Sequence, residues 1–414
     1  MKQGYDVVVV GAGPIGCFTA WNLAEEGYSV LLLEEHECAG LPLHCAGLVS
    51  PRVLRFLPGS SRTGVVLAKM NQACIHPPDG SHFYIRSERV KALVIDRIKF
   101  DMTLAEMASN SGAEVCFSTR VKGVKGSPNR YHVSTSNGEL SGRVVIGSDG
   151  AYSLLARVFE FPPVEEVIPA CVYYMECEES DSVDIYLGSE IAPGFFAWII
   201  RGGGRVNIGL GTRKRVNPLP YMKKFLKMIG LTGSVARGGY YSWGIPVGPR
   251  AYTVRDGVAL VGDAAGHAKP MSGGGLFTGL MCASLLVEVV ADALERNTPL
   301  LEPYEKLWRK TIGKEISRGM TMRRIYLQMN DHEIADICRV FSSADLLSVI
   351  SEKGDIDYPS RLVLPLLRKA PHLAKFAGPF LKSLIQRWKV SMGLMEIEDY
   401  SQHPEQPRKK DQQV

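Results

Sequence analysis

The strongest constraint on this chain lies at its start, where an apolar run, Val7-Val8-Val9-Val10, feeds directly into Gly11-Ala12-Gly13-Pro14-Ile15-Gly16. A helical stretch follows to Glu26, Gly27 stops it, and a second apolar run, Ser29–Leu33, ends on Glu34, 23 residues after Gly11. Strand, glycine turn, helix and strand at this spacing form the G-x-G-x-x-G dinucleotide fingerprint. Gly11 permits the tight turn, Gly13 lets the backbone approach a pyrophosphate, and Gly16 allows close helix–strand packing. The helix N-terminus offers unpaired N–H groups and partial positive charge to phosphates. A carboxylate at Glu34 accepts from adenosine ribose hydroxyls and disfavours a 2′-phosphate. A bare glycine turn is the competing reading, and the strand–helix–strand frame argues against it.

The 414 residues exceed one compact unit and suit two domains plus a tail. With 45% hydrophobic and 22% charged residues, global disorder is excluded. The long uncharged stretch Pro270 to Val287 is interrupted by glycines and followed by Glu288 and Asp292, so no integral membrane protein is expected. The chain enters a strand-like run at Tyr5, so no secretory signal is expected. Nine cysteines without a C-x-x-C pair imply reduced thiols in a cytoplasmic protein, with no disulfide framework, iron–sulfur cluster, zinc ribbon or other metal site expected. A net charge of +5 is too mild to imply nucleic acid.

Val90 to Gly112 reads as a second helix, and Val115 to Ile146 as three strands separated by Ser127-Pro128-Asn129 and Ser136-Asn137-Gly138. Four strands rich in aromatic and β-branched residues follow: Ala170–Glu176, Val183–Leu187, Phe195–Ile200 and Arg205–Leu210. A short apolar strand returns at Gly257–Gly262, a long helix runs from about Gly275 to Leu294, and the remainder reads as helical. The expected division is a discontinuous nucleotide-binding domain (1–160 and 250–298), an antiparallel sheet domain (161–249), a helical region (299–400) and a disordered tail (401–414).

Gly262-Asp263-Ala264-Ala265-Gly266, behind the apolar run Val258–Val261, resembles the second FAD motif of the flavoprotein superfamily that includes p-hydroxybenzoate hydroxylase. Ile146-Gly147-Ser148-Asp149-Gly150 resembles its Asp-Gly motif, and Asp96-Arg97 its arginine-bearing cofactor segment. Four motifs in family order over about 260 residues imply an α/β fold. That fold has a Rossmann-like FAD-binding domain of the glutathione reductase and p-hydroxybenzoate hydroxylase type. An antiparallel β-sheet substrate domain and a helical C-terminal region complete it.

Within that superfamily the chain most resembles the geranylgeranyl reductase family, of the archaeal phospholipid type. Gly40-Leu41-Pro42-Leu43-His44-Cys45-Ala46-Gly47-Leu48 resembles its Gly-x-Pro-x-Arg-Cys-Gly segment, with His44 in place of arginine. Phe196-Ala197-Trp198-Ile199-Ile200-Arg201 followed by Gly209-Leu210-Gly211 resembles its Tyr-x-Trp-x-Phe-Pro…Gly-x-Gly signature, and Pro270-Met271-Ser272-Gly273-Gly274-Gly275 its Pro-x-x-Gly-x-Gly run. The resemblance implies FAD contacts from Gly11, Gly13, Pro14, Ile15, Gly16, Glu34, Glu35, Cys45, Ala46, Gly47, Arg97, Val121, Asp149, Gly150, Gly262, Asp263, Pro270, Gly273, Gly274, Gly275 and Leu276. A greasy substrate wall suits such a family, and Phe196, Trp198, Tyr241 and Trp243, with Phe195, Ile200 and Tyr240 on the same strands, are its candidates; the competing reading is that alternate members of these strands simply form the sheet's core.

The implied reaction saturates isolated C=C bonds of geranylgeranyl chains on a glycerophospholipid. Such an alkene has no carbonyl to polarise it, so hydride and proton must arrive almost together. Cys45 is the expected proton donor or positioner, against its plain reading as a small buried hydrophobe; His44 is the second candidate. No second nucleotide fingerprint is visible, because Gly202-Gly203-Gly204 leads into a strand. The electron donor is therefore NAD(P)H bound transiently or a ferredoxin-like protein. Residues 361–395 carry seven Lys/Arg and no acid among many apolar side chains, a composition suited to peripheral contact with a cytoplasmic membrane face. Rival readings are an aromatic monooxygenase of the same fold, a reductase of another isoprenoid such as a quinone side chain or chlorophyll precursor, an electron-transfer flavoprotein passing electrons to quinone, and a non-redox FAD module.

Overall fold

A computed structural model describes residues 4–176, 180–231, 240–298, 300–371 and 373. The expected tail and most of the basic 361–395 segment lie outside the described residues.

The nucleotide-binding half is built on an eight-stranded sheet. Strands β1 (Gly4–Val10), β2 (Val30–Leu33), β8 (Glu114–Cys116), β11 (Gly138–Gly147) and β18 (Val258–Leu260) run parallel in the order β18-β11-β1-β2-β8. The two-residue strand β17 (Val254–Arg255) pairs antiparallel at the β18 edge, and β9 (Val121–Ser127) and β10 (Arg130–Thr135) form a meander returning on β11. The uninterrupted apolar run in β1 is explained by cover on both faces. Val7 and Val9 pack under helices α1 (Pro14–Glu25), α2 (Arg97–Asn110) and α5 (Leu276–Glu295), whereas Val8 and Val10 pack under the meander and α3 (Leu154–Val158).

The expected helix over 90–112 is two elements. Ala92-Leu93-Val94-Ile95 is strand β7, buried at every position, and only after Asp96 does α2 begin. The Asp96 side chain accepts from the Lys99 N–H at 3.0 Å, so an N-cap and not helical periodicity sets the boundary. Strand β7 joins β3 (Leu48–Val49) and β4 (Val66–Met70) in a small sheet.

The second large sheet has seven strands in the order β16-β12-β15-β14-β13-β5-β6. It contains β12 (Glu166–Glu176), β13 (Ser182–Tyr186), β14 (Ala197–Gly202), β15 (Arg205–Gly211) and β16 (Tyr241–Val247). It is not confined to 161–249: β5 (Gln72–His76) and β6 (Phe83–Arg86) come from the N-terminal segment, with β5 parallel to β13. One face packs towards the first half of the molecule; the other is covered by α4 (Pro218–Met228) through Met222, Phe225 and Leu226.

After α5 come α6 (Glu302–Trp308), α7 (Lys314–Tyr326), α8 (Asp331–Phe341), α9 (Ala344–Lys353) and α10 (Val363–Lys369). Among the described residues α5 is long and apolar enough to cross a membrane, yet 61% of its most apolar stretch is buried inside this fold. The helical region is tied to the second sheet by Arg323, whose fully buried guanidinium donates two hydrogen bonds to Glu166 at 2.7 and 2.8 Å. A second tie runs through Asp357, which is fully buried and accepts from Lys269 Nζ at 2.9 Å and Arg52 at 3.1 Å. Lys269 directly precedes the Pro270–Gly275 loop, so this tie anchors the loop to the C-terminal helices.

Candidate active site

The three glycines of the first motif have different surroundings. Gly11 is at φ +97°, and a Cβ there would stand 2.6 Å from the Ser148 carbonyl oxygen. A Cβ on Gly16 would stand 1.9 Å from the Gly11 carbonyl oxygen, so both positions are closed by the protein itself. Gly13 meets nothing within 4 Å. It caps α1 without a side-chain hydrogen bond, Pro14 is the first helical residue, and no acid lies in the first turn. The first-turn N–H groups thus face open space with their partial positive charge uncompensated, the arrangement a pyrophosphate requires.

Glu34 stands at the rim of this cradle, where its carboxylate accepts from the Ala12 N–H at 2.7 Å and the His36 N–H at 3.0 Å. Glu35 behaves differently: it is exposed and paired with Arg120 at 3.0 Å, a surface ion pair. The Val121 side chain is buried in the core beneath the sheet, leaving only its backbone for a ligand.

Ile15 joins the first motif to the second, because Cβ atoms on Gly262 and Gly279 would stand 3.1 and 2.7 Å from its side chain. Gly262 itself is left-handed at φ +67°. Asp263 faces the start of α5, where a Cβ on Gly275 would stand 2.9 Å from its carboxylate. Burial pushes the Asp263 carboxyl up to about 6, with Arg97 opposing the shift. Leu276 opens α5, whose N-cap Gly275 makes no side-chain hydrogen bond, so a second helix N-terminus is free beside Asp263. Asp149 is committed locally: one carboxylate oxygen accepts from the Leu154 and Leu155 N–H groups at 2.7 and 3.1 Å, capping α3. Its other oxygen is buried without a partner, and Gly150 beside it is left-handed at φ +74°.

The 40–48 loop lies against β7 and α2. Cβ atoms on Gly40 and Gly47 would stand 2.8 Å from Ile98 Cα and from the Ile95 carbonyl oxygen, so glycine is required at both left-handed positions. This approach brings Cys45 within electrostatic reach of Arg97, whose guanidinium forks onto Asp101 at 3.1 and 2.9 Å. Burial opposes the guanidinium charge, but Asp101 and Cys45 more than offset it and raise the Arg97 pKa. The Cys45 carbonyl accepts from the Tyr174 hydroxyl at 2.7 Å and from Asn207 at 3.4 Å. Asn207 in turn accepts from the Trp198 indole N–H at 2.6 Å. Ala46 packs with the aromatic face of the second sheet.

His44 sits one residue away with its ring 5.7 Å from Trp243. Its Nδ1 lies 2.7 Å from the Pro42 carbonyl, which can only accept, so Nδ1 carries the proton of the neutral ring. The ring is exposed at the cleft rim, yet surrounding protein atoms lower its pKa by desolvation.

The glycines of the second-sheet signature have a steric explanation. Trp198 lies across Gly209, its partner in the β14–β15 register, and Phe195 lies across Gly211. Trp198 and Trp243 are 6.5 Å apart, Phe196 is 5.8 Å from Trp198, and Tyr241 is 6.3 Å from Tyr174. Phe195 and Phe196 precede the strand and stack on each other at 4.3 Å. Gly273 comes to this wall as well, since a Cβ there would stand 3.1 Å from Ile245 and 3.3 Å from Phe195. Pro270 is buried against Gly319 of α7, and half-buried Gly274 lies against the Lys269 side chain. Tyr240 is a correction: it packs with Tyr173 on the opposite, α4-covered face, because side chains alternate along a strand.

Three residues essential to this arrangement were not singled out from the sequence: Tyr174, Asn207 and Asp101. Asn207 carried a usable signal as the lone amide within an apolar strand, and Asp101 as an acid one helical turn after Arg97.

Residues 6–93 match the family model described as FAD dependent oxidoreductase. A digeranylgeranylglycerophospholipid reductase of Methanothermobacter thermautotrophicus is 31% identical over 86% of this chain and 98% of its own. Another, from Methanosphaerula palustris, is 30% identical over 84% and 92%. The chain belongs to the digeranylgeranylglycerophospholipid reductase family. Its fold is that of a geranylgeranyl bacteriochlorophyll reductase-like protein from Thermoplasma acidophilum, with TM-score 0.77, 23% identity, and 91% and 99% coverage. The matched family model is that of FAD-dependent oxidoreductases, and the open cradle at Gly13 with two helix N-termini fits FAD as the cofactor here.

Proposed function

We propose that this flavoenzyme saturates C=C bonds in the geranylgeranyl chains of an archaeal-type glycerophospholipid. The observation that supports the reading is the position of Cys45, whose carbonyl is held by Tyr174 and by Asn207, the acceptor of the Trp198 indole N–H in the aromatic wall, with Arg97 within electrostatic reach of the thiol. FAD, when bound and reduced, supplies hydride. The residues of the chain provide orientation, dryness and a proton. Phe196, Trp198, Tyr241 and Trp243 present an apolar surface to a prenyl chain and exclude water from it. The Cys45 thiol gives its proton to the alkene carbon that does not receive hydride, and Arg97 offers a charge-assisted hydrogen bond to the sulfur once that proton has left. Tyr174 and Asn207 act only as positioners, through the Cys45 carbonyl. His44, whose neutral ring keeps Nε2 as an acceptor, is the less suited donor.

Electrons enter from NAD(P)H or a ferredoxin-like protein, and the enzyme works at the cytoplasmic membrane face, where a lipid-tailed substrate is met. The test is anaerobic. The flavin is reduced with dithionite, a geranylgeranyl phospholipid is added, and flavin reoxidation is followed while the lipid is weighed. Reoxidation with a gain of two hydrogens per double bond is expected. No reoxidation until oxygen is admitted, with oxygen then inserted into an aromatic, would move the chain to the monooxygenases.

A further inference from the structure

On the outer face of the second sheet, away from the aromatic wall, three side chains with metal-binding donors converge. Strands β5 and β13 are parallel neighbours in which Asp184 stands opposite Cys74 and Tyr186 opposite His76. Because alternate residues share a face, all four project to the side on which Tyr186 meets Phe225 of α4. One donor atom from each of Cys74, His76 and Asp184 lies within 4.8 Å of the other two. We propose that these three residues bind a divalent transition-metal ion of the zinc class.

The donor set is thiolate, imidazole and carboxylate, which zinc accepts together. Bond lengths of about 2.0–2.3 Å place ligand atoms of a tetrahedral ion about 3–4 Å apart. The cluster is close to this already, with His76 Nε2 at 3.0 Å from Asp184 Oδ1. The ligands are held from behind. Arg201 donates to Asp184 Oδ2 at 3.2 Å, on the far side from the imidazole, and the Tyr186 ring stacks on His76 at 4.1 Å and 5°. Such support of the ligands themselves is typical of metal centres. Three protein ligands leave a fourth position for water or for His82, whose ring lies 6.0 Å from that of His76.

The sequence concealed this site because it contains no C-x-x-C pair. Its half-site, Cys74-Ile75-His76, gains the third ligand, 108 residues beyond His76, only through long-range sheet pairing. The ion fastens the β5–β6 hairpin to the rest of the sheet and takes no part in flavin chemistry.

The test uses the FAD-loaded protein after dialysis against a chelator. Cobalt(II) replaces zinc as the probe, read by its ligand-field bands at wavelengths beyond the flavin absorption. One equivalent should bind with the intensity of a tetrahedral site, be displaced by one equivalent of zinc, and raise the melting temperature. The bands should vanish in Cys74→Ser and in His76→Gln. The second variant keeps a hydrogen-bonding group towards Asp184, and its unchanged flavin spectrum separates loss of metal from loss of fold. Failure to bind cobalt, or bands unchanged in both variants, would overturn the proposal.

Discussion

The indole of Trp198 occupies the volume that a side chain at residue 209 would need: a Cβ on Gly209 would stand 2.2 Å from Trp198 Cζ2. The same indole donates to Asn207, and Asn207 donates to the Cys45 carbonyl. Gly209 therefore controls, through one aromatic ring, where the Cys45 loop rests. Gly209→Ala should shift that ring and destabilise the protein by about 1–3 kcal/mol, the usual cost of overpacking. Prenyl reduction should fall further than the melting temperature alone implies, while FAD is retained. In the double variant Gly209→Ala/Trp198→Ala the two stability losses should be less than additive, because the clash is gone. Strict additivity would show that the pair does not interact.

Gly13→Val separates holding FAD from folding. Residue 13 has φ −65° and nothing within 4 Å of a built Cβ, so the chain accommodates the larger residue. The volume it fills is the one a pyrophosphate needs. Purified Gly13→Val should show native far-ultraviolet circular dichroism and no bound flavin. Gly16→Val, where the Gly11 carbonyl stands 1.9 Å away, should fail to fold. A flavin-loaded Gly13→Val protein would refute the placement of the cofactor.

Cys45→Ala tests the proton source. The loop is fixed by backbone groups of residues 45 and 47, so losing the sulfur should leave FAD affinity unchanged. Turnover in the anaerobic assay should drop about 10²–10⁴-fold, the range for loss of a general acid. Tyr174→Phe, which removes only the hydroxyl on the Cys45 carbonyl, should give a smaller loss and leave flavin reduction by the donor untouched. Unchanged turnover in Cys45→Ala would take the thiol out of the mechanism.

The parts of this protein legible in the sequence are those specified by local chemistry. The Gly11–Gly16 turn, the β1 run and the α5 helix follow from short patterns whose periodicity names the element. The 90–112 segment was misread because an apolar run of four residues suits a buried strand as well as a helix, and only the Asp96 cap distinguishes them. The recruitment of β5 and β6 into the second sheet had no local signal, since strand partners are chosen by long-range pairing. The same holds for the site. Cys45 and Arg97 are readable singly, but their proximity, and the support of Tyr174 and Asn207 behind it, exist only after the two sheets are brought together.

His267 makes stability depend on pH. It is fully buried beside the Trp308 ring at 4.7 Å, both ring nitrogens lack partners, and burial, reinforced by Arg309, lowers its pKa to about 3. In the unfolded chain the imidazole takes a proton near pH 6.5. The unfolded state thus binds more protons between those two values, and stability must fall as pH drops through that window. Well above pH 7, from about pH 8, the ring is neutral in both states and contributes almost no slope. His267→Phe keeps a ring against Trp308 and removes the titration, so its melting temperature should decline less steeply than wild type between pH 6.5 and 4. Identical slopes would mean that the folded protein protonates His267, and that a partner reaches one of its nitrogens.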